Sequence, residues 1–263
     1  MKSVVKNTEN LQKSMPHEHL ELEATLQENL QVMINGDFQT RWEVGKILAK
    51  QGKAAIAPLR EILADNDADL ELRWFAGRIL SEFKEPEIII SLVKLLEETE
   101  EIELCKLAIS ALANIGSPAI EALKNLLTQE DTKLLAIQAL GQITNPQTIE
   151  PLLTMVDDPV PLVRATAIEA LGNFHEDSIT PVLVKALTDK AAAVRKEAVA
   201  ALGRKKNFNV VTEVAQLLDD LNYQVCQTAA IALGRIGTDE AAAALFHVLK
   251  SPATPASLKL DIV

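Results

Sequence analysis

The sequence predicts an all-α fold in which one helical unit is repeated along the chain, and three observations lead to this prediction. Seven eight-residue strings align without gaps, and each ends on a leucine: 41–48, 73–80, 105–112, 133–140, 164–171, 195–202 and 226–233. The glycines that follow the last four strings are 31 residues apart throughout. Aromatic residues make up only 3% of the chain, and the apolar set is dominated by Ala and Leu, which favour closely packed helices.

Each repeat is predicted to contain two helices joined by a short polar turn. The first helix carries a leucine pattern, seen at 58–63, 91–96, 122–127, 151–156 and 213–218. Pro58, Pro151 and Pro181 fall in its first turn, where a missing N–H costs little. The second helix is the aligned string. Four residues before its final leucine stands a small residue, alanine in six of the seven repeats, because the neighbouring helix must come close there.

The repeats also predict how the chain is organised. A lone helix pair cannot cover such apolar stripes, whereas stacked pairs bury them continuously. We therefore expect about seven full repeats and a partial last one, forming a single solenoid domain over residues 17–263. Residues 1–16 are expected to be disordered. The last helix ends on Ile262 and Val263, which fits a domain truncated at its C-terminus or an end covered by a partner.

A charged pattern runs through the same repeats. Seven residues before the final leucine stand Arg41, Arg73, Arg164 and Arg195, and six residues before these stand Asn35, Asp67, Asp158 and Asp189. An acid in the turn that faces such an arginine can form a ladder from one repeat to the next. With these motifs the chain resembles the HEAT repeat, most closely in "DDPVPLVRATAIEALGNF" (157–174) and "TDKAAAVRKEAVAALG" (188–203). The resemblance covers nearly the whole chain and implies a right-handed α-α superhelix.

Composition and charge disfavour several classes of function. The net charge of −11 repels phosphate, so nucleic acid is not an expected partner. The one compact basic run, 204–206, is interpreted as a solvated loop. No stretch has the length and hydrophobicity of a membrane span, so we expect no membrane insertion. Two cysteines and the lack of an export signal indicate a cytoplasmic protein.

The sequence shows no catalytic constellation and no metal-ligand spacing, and we expect no cofactor. Cys105 and Cys226 both occupy the arginine position of their repeats. Four repeats separate them, so an internal disulfide is not expected. The simpler interpretation is that each cysteine fills a half-buried slot where the arginine was lost. The alternative is a thiol that meets a partner, a bilin or an iron–sulfur cluster.

The candidate site is a strip on the exposed side of the second helices, which lines the concave face in HEAT solenoids. Trp42 and Trp74 lie there, each one turn before a cation, Lys46 and Arg78, and Lys106 continues the row. Aromatic and cationic residues of this kind are enriched at binding hot spots. A second interpretation places both tryptophans against the first helices, where they would close the N-terminal end of the core. Both interpretations remain open from the sequence.

Protein binding is the expected function, because helical solenoids offer long grooves without catalytic loops. The leading hypothesis is a non-catalytic scaffold or adaptor that binds a partner protein on its concave face. The repeats also resemble those of the phycobilin lyase subunits, in "LRWFAGRIL" (72–80) and "VRATAIEALGNFHEDSITPVLVKAL" (163–187). That resemblance implies an alternative, a bilin lyase or a lyase-related chaperone subunit acting on phycobiliproteins. It also implies a phycobiliprotein or an iron–sulfur assembly factor as the partner.

No catalytic residue of the lyase family can be mapped onto this chain. In the lyase alternative, Trp42 and Trp74 would stack on a tetrapyrrole, and Lys46 and Arg78 would neutralise its propionates.

Overall fold

The computed structural model describes residues 17–206, 208–252 and 254–262, and the segment 1–16 that was predicted to be disordered lies outside them. The described residues form sixteen α-helices and no strand. In chain order these are α1 His17–Asn35, α2 Phe38–Lys50, α3 Ile56–Ala64, α4 Leu70–Leu80, α5 Pro86–Glu98, α6 Ile102–Ile115, α7 Ile120–Leu126, α8 Lys133–Gln142, α9 Ile149–Leu153, α10 Pro161–Leu171, α11 Thr180–Ala186, α12 Ala192–Lys205, α13 Val211–Gln216, α14 Tyr223–Ile236, α15 Asp239–Lys250 and α16 Ala256–Ile262.

The helices alternate as the first and second members of consecutive pairs. The seven aligned strings lie in the even-numbered helices α2 to α14, as predicted, and α15 with α16 forms the last pair. Pro58, Pro151 and Pro181 lie in the first turn of α3, α9 and α11. The prediction of an all-α repeat fold is therefore confirmed.

The chain forms two compact units, each described by itself. Unit 1 ends at Ile115 and contains α1 to α6, and unit 2 begins at Gly116 and contains α7 to α16. In unit 1 the second helices α2, α4 and α6 pack in sequence against one another. In unit 2, α8, α10, α12 and α14 pack in the same way. Consecutive second helices are thus direct neighbours within each unit.

The predicted small residues allow this close packing. The alanines four residues before the final leucines of α4 to α14 are all 0% exposed. The glycines that follow those leucines mark an even closer approach in unit 2. A Cβ added at Gly141 would lie 2.6 Å from the Cβ of Ala170, and one at Gly203 would lie 2.7 Å from the Cβ of Ala232. The 31-residue spacing of the glycines therefore reflects, at these two positions, contact between neighbouring second helices.

We expect Gly203→Ala to lower the free energy of unfolding of unit 2 by about 1–2 kcal/mol, because the clash with Ala232 outweighs the gain in helix propensity. Gly234 is the matched control, since it follows the final leucine of the next repeat and an added Cβ would meet no atom within 4 Å. Gly234→Ala should raise the free energy of unfolding by about 0.5–1 kcal/mol. Urea unfolding followed by circular dichroism measures both changes. Changes of the same sign in the two variants would contradict the close approach.

Ion pairs join successive repeats of unit 2, and they include the predicted Arg164, Arg195, Asp158 and Asp189 together with Lys133 and Asp220, which were not predicted. The pairs are Lys133–Asp158, Arg164–Asp189 and Arg195–Asp220, with N–O distances of 2.9, 2.7 and 2.7 Å. Each aspartate also accepts a hydrogen bond from the backbone N–H two residues later, which holds its side chain in place. The hydrogen bonds from the two arginines lower the pKa of Asp189 and of Asp220. Unit 2 therefore contains a three-rung ladder.

The ladder in unit 1 departs from the predicted pairs. Arg41 contacts Asp69 at 2.8 Å and Glu71 at 3.0 Å, so the expectation that Asp67 belongs to the ladder is wrong. Asp69 is the N-cap residue of α4 and accepts the N–H of Leu72, which holds its carboxylate at the helix start within reach of Arg41.

The basic run 204–206 is not the loop that the sequence suggested. Arg204 and Lys205 form the last turn of α12, and Lys206 ends the helix with a φ of 49°. Cations are favoured in that turn by the helix dipole. The Lys205 ammonium donates to the carbonyl oxygen of Phe174, and burial lowers the pKa of Lys205. The run is part of a helix end that packs on the preceding repeat.

Candidate functional site

Trp42 and Trp74 lie on the neighbouring helices α2 and α4, and both side chains are half-buried. Arg78, one turn after Trp74, connects them. Its Cζ lies 4.4 Å from the centroid of the Trp42 ring and 5.9 Å from that of Trp74. A guanidinium over the face of an indole is attracted by the ring quadrupole. Arg78 thus bridges the two indoles, and whether this surface binds a partner stays a prediction.

Two phenylalanines complete an aromatic cluster. Phe75 is 1% exposed, and its ring meets those of Phe38 and Trp74 edge-on at centroid distances of 5.2 Å. Phe38 stacks on Trp42 at 6.4 Å with an interplanar angle of 14°. Edge-on and offset-stacked arrangements are the favourable geometries for aromatic pairs. The cluster therefore reaches from the core of unit 1 to its surface.

The predicted cations differ in how they are paired. Lys46 lies 3.2 Å from Glu43 and Lys106 lies 2.9 Å from Glu103, each within its own helix. Arg78, by contrast, is exposed and forms no ion pair within the described residues. Its charge, positioned by the indoles, is therefore the most available of the three to a partner's carboxylate.

Three exposed apolar side chains extend the strip. Phe38, Leu70 and Ile102 are the first residues of α2, α4 and α6, 32 residues apart, and they are 53, 41 and 66% exposed. Each lies one helical turn before Trp42, Trp74 or Lys106, and so on the same helix face.

Leu70 and Ile102 were not among the site residues predicted from the sequence. One indication was present in the sequence. Both residues occupy the same position of aligned repeats, and that position is not part of the apolar stripe that faces the core. We use the name aromatic face for the surface formed by Phe38, Trp42, Leu70, Trp74, Arg78 and Ile102.

The two cysteines are free and take the structural place of the arginines. The Cys226 thiol donates to the carbonyl oxygen six residues earlier at 3.0 Å, and the Cys105 thiol does so at 3.7 Å. Arg164 and Arg195 donate an Nη1–H to the carbonyl oxygen at that same separation. Burial raises the pKa of both thiols, which disfavours the reactive thiolate. The geometry therefore supports the simpler interpretation of both cysteines.

Over residues 17–206, 208–252 and 254–262, no group of three or more His, Cys, Asp or Glu side chains could hold a metal ion. Every helix in this part of the chain is too short or too polar to cross a membrane.

Three segments of the chain, residues 56–135, 120–203 and 180–256, match the family of HEAT repeats. These overlapping matches cover most of the chain. The chain belongs to the HEAT-repeat family. No curated protein sequence matches it.

Solved structures share the HEAT fold at low sequence identity. The karyopherin Kap121p matches 95% of this chain with a TM-score of 0.66 and 16% identity, and the match covers 34% of Kap121p. The YibA protein of E. coli matches 95% of this chain and 98% of its own with a TM-score of 0.50 and 18% identity. The complex of CpcE and CpcF of phycocyanin lyase from Nostoc sp. PCC7120 matches 90% of this chain and 94% of that chain, at a TM-score of 0.41 and 19% identity. The first two matches show the fold, and the third is too loose to support a conclusion about activity.

Proposed function

We propose that this HEAT-repeat chain is a non-catalytic scaffold or adaptor that binds a partner protein through the aromatic face. The row of exposed Phe38, Leu70 and Ile102 carries this proposal. The repeat itself does not require large apolar residues at this position, since α10 and α12 begin with Pro161 and Ala192. These exposed apolar side chains share one repeat position and lie next to aromatic rings and the Arg78 cation. That combination has the composition of a binding hot spot.

The spacing of the row favours a helical partner. Packed helices lie about 8–10 Å apart, so the three apolar side chains should follow one another at about that distance. A partner helix rises about 10.5 Å over seven residues. Its apolar side chains at positions i, i+7 and i+14 would then contact Phe38, Leu70 and Ile102 together, as in helix-in-groove recognition. An acid on the flank of that helix would pair with Arg78.

We also propose that the aromatic face lies on the concave side of the solenoid and that the protein is cytoplasmic. A phycobiliprotein and an iron–sulfur assembly factor, the partners implied by the resemblance to phycobilin lyase subunits, are the first candidates for testing.

The double variant Leu70→Ser/Ile102→Ser should lower partner affinity at least about tenfold, because it removes two of the three exposed apolar side chains of the row. Both side chains are exposed, so the free energy of unfolding should change by less than about 1 kcal/mol. A pull-down from the source organism identifies the partner, and titration of that partner with each variant measures the affinity. Ile90→Ser is the matched control, because Ile90 is 64% exposed but lies on α5 outside the aromatic face. Unchanged binding by the double variant, or an equal loss in the control, would exclude the aromatic face as the binding site.

The lyase alternative uses the same tryptophans and is tested by spectroscopy. Arg78 already lies over the Trp42 ring, and Lys46 pairs with Glu43, so a bilin would have to displace both contacts. The chain is mixed with phycocyanobilin and then with an apo-phycobiliprotein. A shift in visible absorbance followed by bilin transfer would support the lyase, whereas no shift and no transfer would support the scaffold.

A further inference from the structure

Arg73 of unit 1 is a buried ladder arginine that has no carboxylate partner among the described residues. Its side chain lies on α4 and the residue is only 8% exposed. Its Nε donates to the carbonyl oxygen of Leu63 at 3.0 Å. No carboxylate within the described ranges forms an ion pair with it, although Arg41 in the preceding repeat has two. A buried cation of this kind gains strongly from a counter-charge.

Thr99 stands six residues before the next ladder position, Cys105, where the turns of unit 2 have an aspartate. Glu101 and Glu103, which correspond to the Arg41 partners Asp69 and Glu71, form no ion pair with Arg73 among the described residues, and Glu103 pairs with Lys106. The carbonyl oxygen of Thr99 accepts from Cys105, as that of Asp158 accepts from Arg164. Its side-chain oxygen accepts the N–H two residues later at 3.2 Å, as the side chains of the unit 2 aspartates do. Thr99 thus reproduces the turn of an aspartate rung but supplies a hydroxyl where the rung needs a charge.

Arg73 lines a groove between α3 and α5 that can admit a ligand. The walls are partly apolar, and Arg60 and Lys94 add two further cations. Arg60 donates to the Ser91 hydroxyl at 2.6 Å and lies 3.9 Å from Glu87, so Arg73 is the groove cation that has no ion pair among the described residues. The acids of the groove are Glu61 and Glu98, of which Glu98 lies 3.6 Å from Lys94. The groove therefore presents Arg73 beside aliphatic side chains such as Ala57 and Leu95 as well as beside charged ones.

We propose that this groove binds a carboxylate ligand on Arg73, in the place that an aspartate occupies in other rungs. The Nε of Arg73 already donates to Leu63, which leaves its two Nη groups to form two parallel hydrogen bonds to a carboxylate. Arg41 binds Asp69 in this way, with both Nη groups, while its Nε donates to the carbonyl oxygen of Met33. The apolar part of the lining suits a carboxylate on a short aliphatic stem. Two sources share this chemistry, a small free acid and the glutamate side chain of a bound peptide. The site is separate from the aromatic face and does not depend on it.

Thr99→Asp tests the proposal, because it supplies the missing carboxylate from the chain itself. Thermal unfolding is followed at constant ionic strength with chloride, butyrate or the peptide Ac-Ala-Ala-Glu-Ala-Ala-NH2. Butyrate or the peptide should raise the wild-type Tm by about 2–4 °C. The Thr99→Asp chain should show a higher Tm than wild type without ligand and no further response. Arg73→Met should not respond either, and Thr128→Asp, which adds the same charge at an exposed turn of unit 2, should respond like wild type.

The two ligands distinguish the sources of the carboxylate. An equal response to both supports a free acid, and a larger response to the peptide supports a partner's glutamate. An unchanged wild-type Tm with both ligands would overturn the proposal, as would a Thr99→Asp chain that responds like wild type. A response to inorganic phosphate without one to either carboxylate would also overturn it. Because Thr99→Asp keeps the arginine, the test does not depend on whether Arg73→Met folds.

Discussion

Phe75→Ala is expected to lower the free energy of unfolding of unit 1 by about 3–5 kcal/mol, the usual cost of removing a fully buried phenylalanine. Phe75 is 1% exposed and contacts the rings of both Phe38 and Trp74. Removing its ring would leave a cavity beneath the aromatic face, and the indoles above it would lose their support.

Urea unfolding measures this change, and the emission of the two tryptophans reports it directly, because both lie in the cluster. Phe38→Ala is the matched control, since it removes the same ring type from the exposed edge of the cluster. Its expected cost is below about 1.5 kcal/mol, the value of an aromatic pair. If Phe75→Ala cost less than the control, the cluster would not be part of the core of unit 1.

Asp220→Ala should have the second-largest effect, about 2–4 kcal/mol at neutral pH, because it leaves Arg195 with an unpaired charge. The side chains of this pair are 7 and 15% exposed, so little water can replace the carboxylate. The control is Asp157→Ala, which breaks the exposed pair of Asp157 with Lys185. Exposed pairs contribute about 0–1 kcal/mol. Equal losses in the two variants, measured by urea unfolding, would show that burial of the ladder does not matter.

The same rung predicts a dependence on pH. The hydrogen bonds from Arg195 hold the pKa of Asp220 below its ordinary value. The rung therefore stabilises the fold above the unfolded-state pKa of about 4 and loses this contribution as the pH falls through the lower folded-state pKa. We expect the stability of wild type to decline below about pH 5, and more steeply than that of Asp220→Ala. Parallel declines in a pH series of urea unfolding would contradict this assignment.

The repeat architecture was predictable because its signals are local. The second helices, their final leucines and the row of alanines follow from a period within each helix and a spacing of about 31 residues between helices. The ladder in unit 2 was predictable for a similar reason, since its turns keep one length from repeat to repeat. Where the turn before α4 differs, the predicted Asp67 was wrong, and the N-cap Asp69 took its place.

The candidate site was only partly predictable. Trp42 and Trp74 were visible as the chain's two tryptophans at one repeat position, and Arg78 as the cation one turn after Trp74. The contact of Arg78 with both indoles depends on how α2 and α4 pack, which no period along the chain contains. Leu70 and Ile102 are ordinary core residue types, and only their exposure in the packed unit separates them from the core.

Periodicity along the chain was sufficient to assign the helix pairs, their order and their buried faces, because each helix displays its own apolar stripe. Only the packed structure shows which apolar residues are exposed and which charges are paired, because both depend on neighbours from other repeats. Arg41 and Arg73 occupy the same position in consecutive strings, yet Arg41 meets Asp69 and Arg73 meets no described carboxylate. That difference leaves a buried guanidinium beside a groove, which makes Arg73 the candidate ligand site.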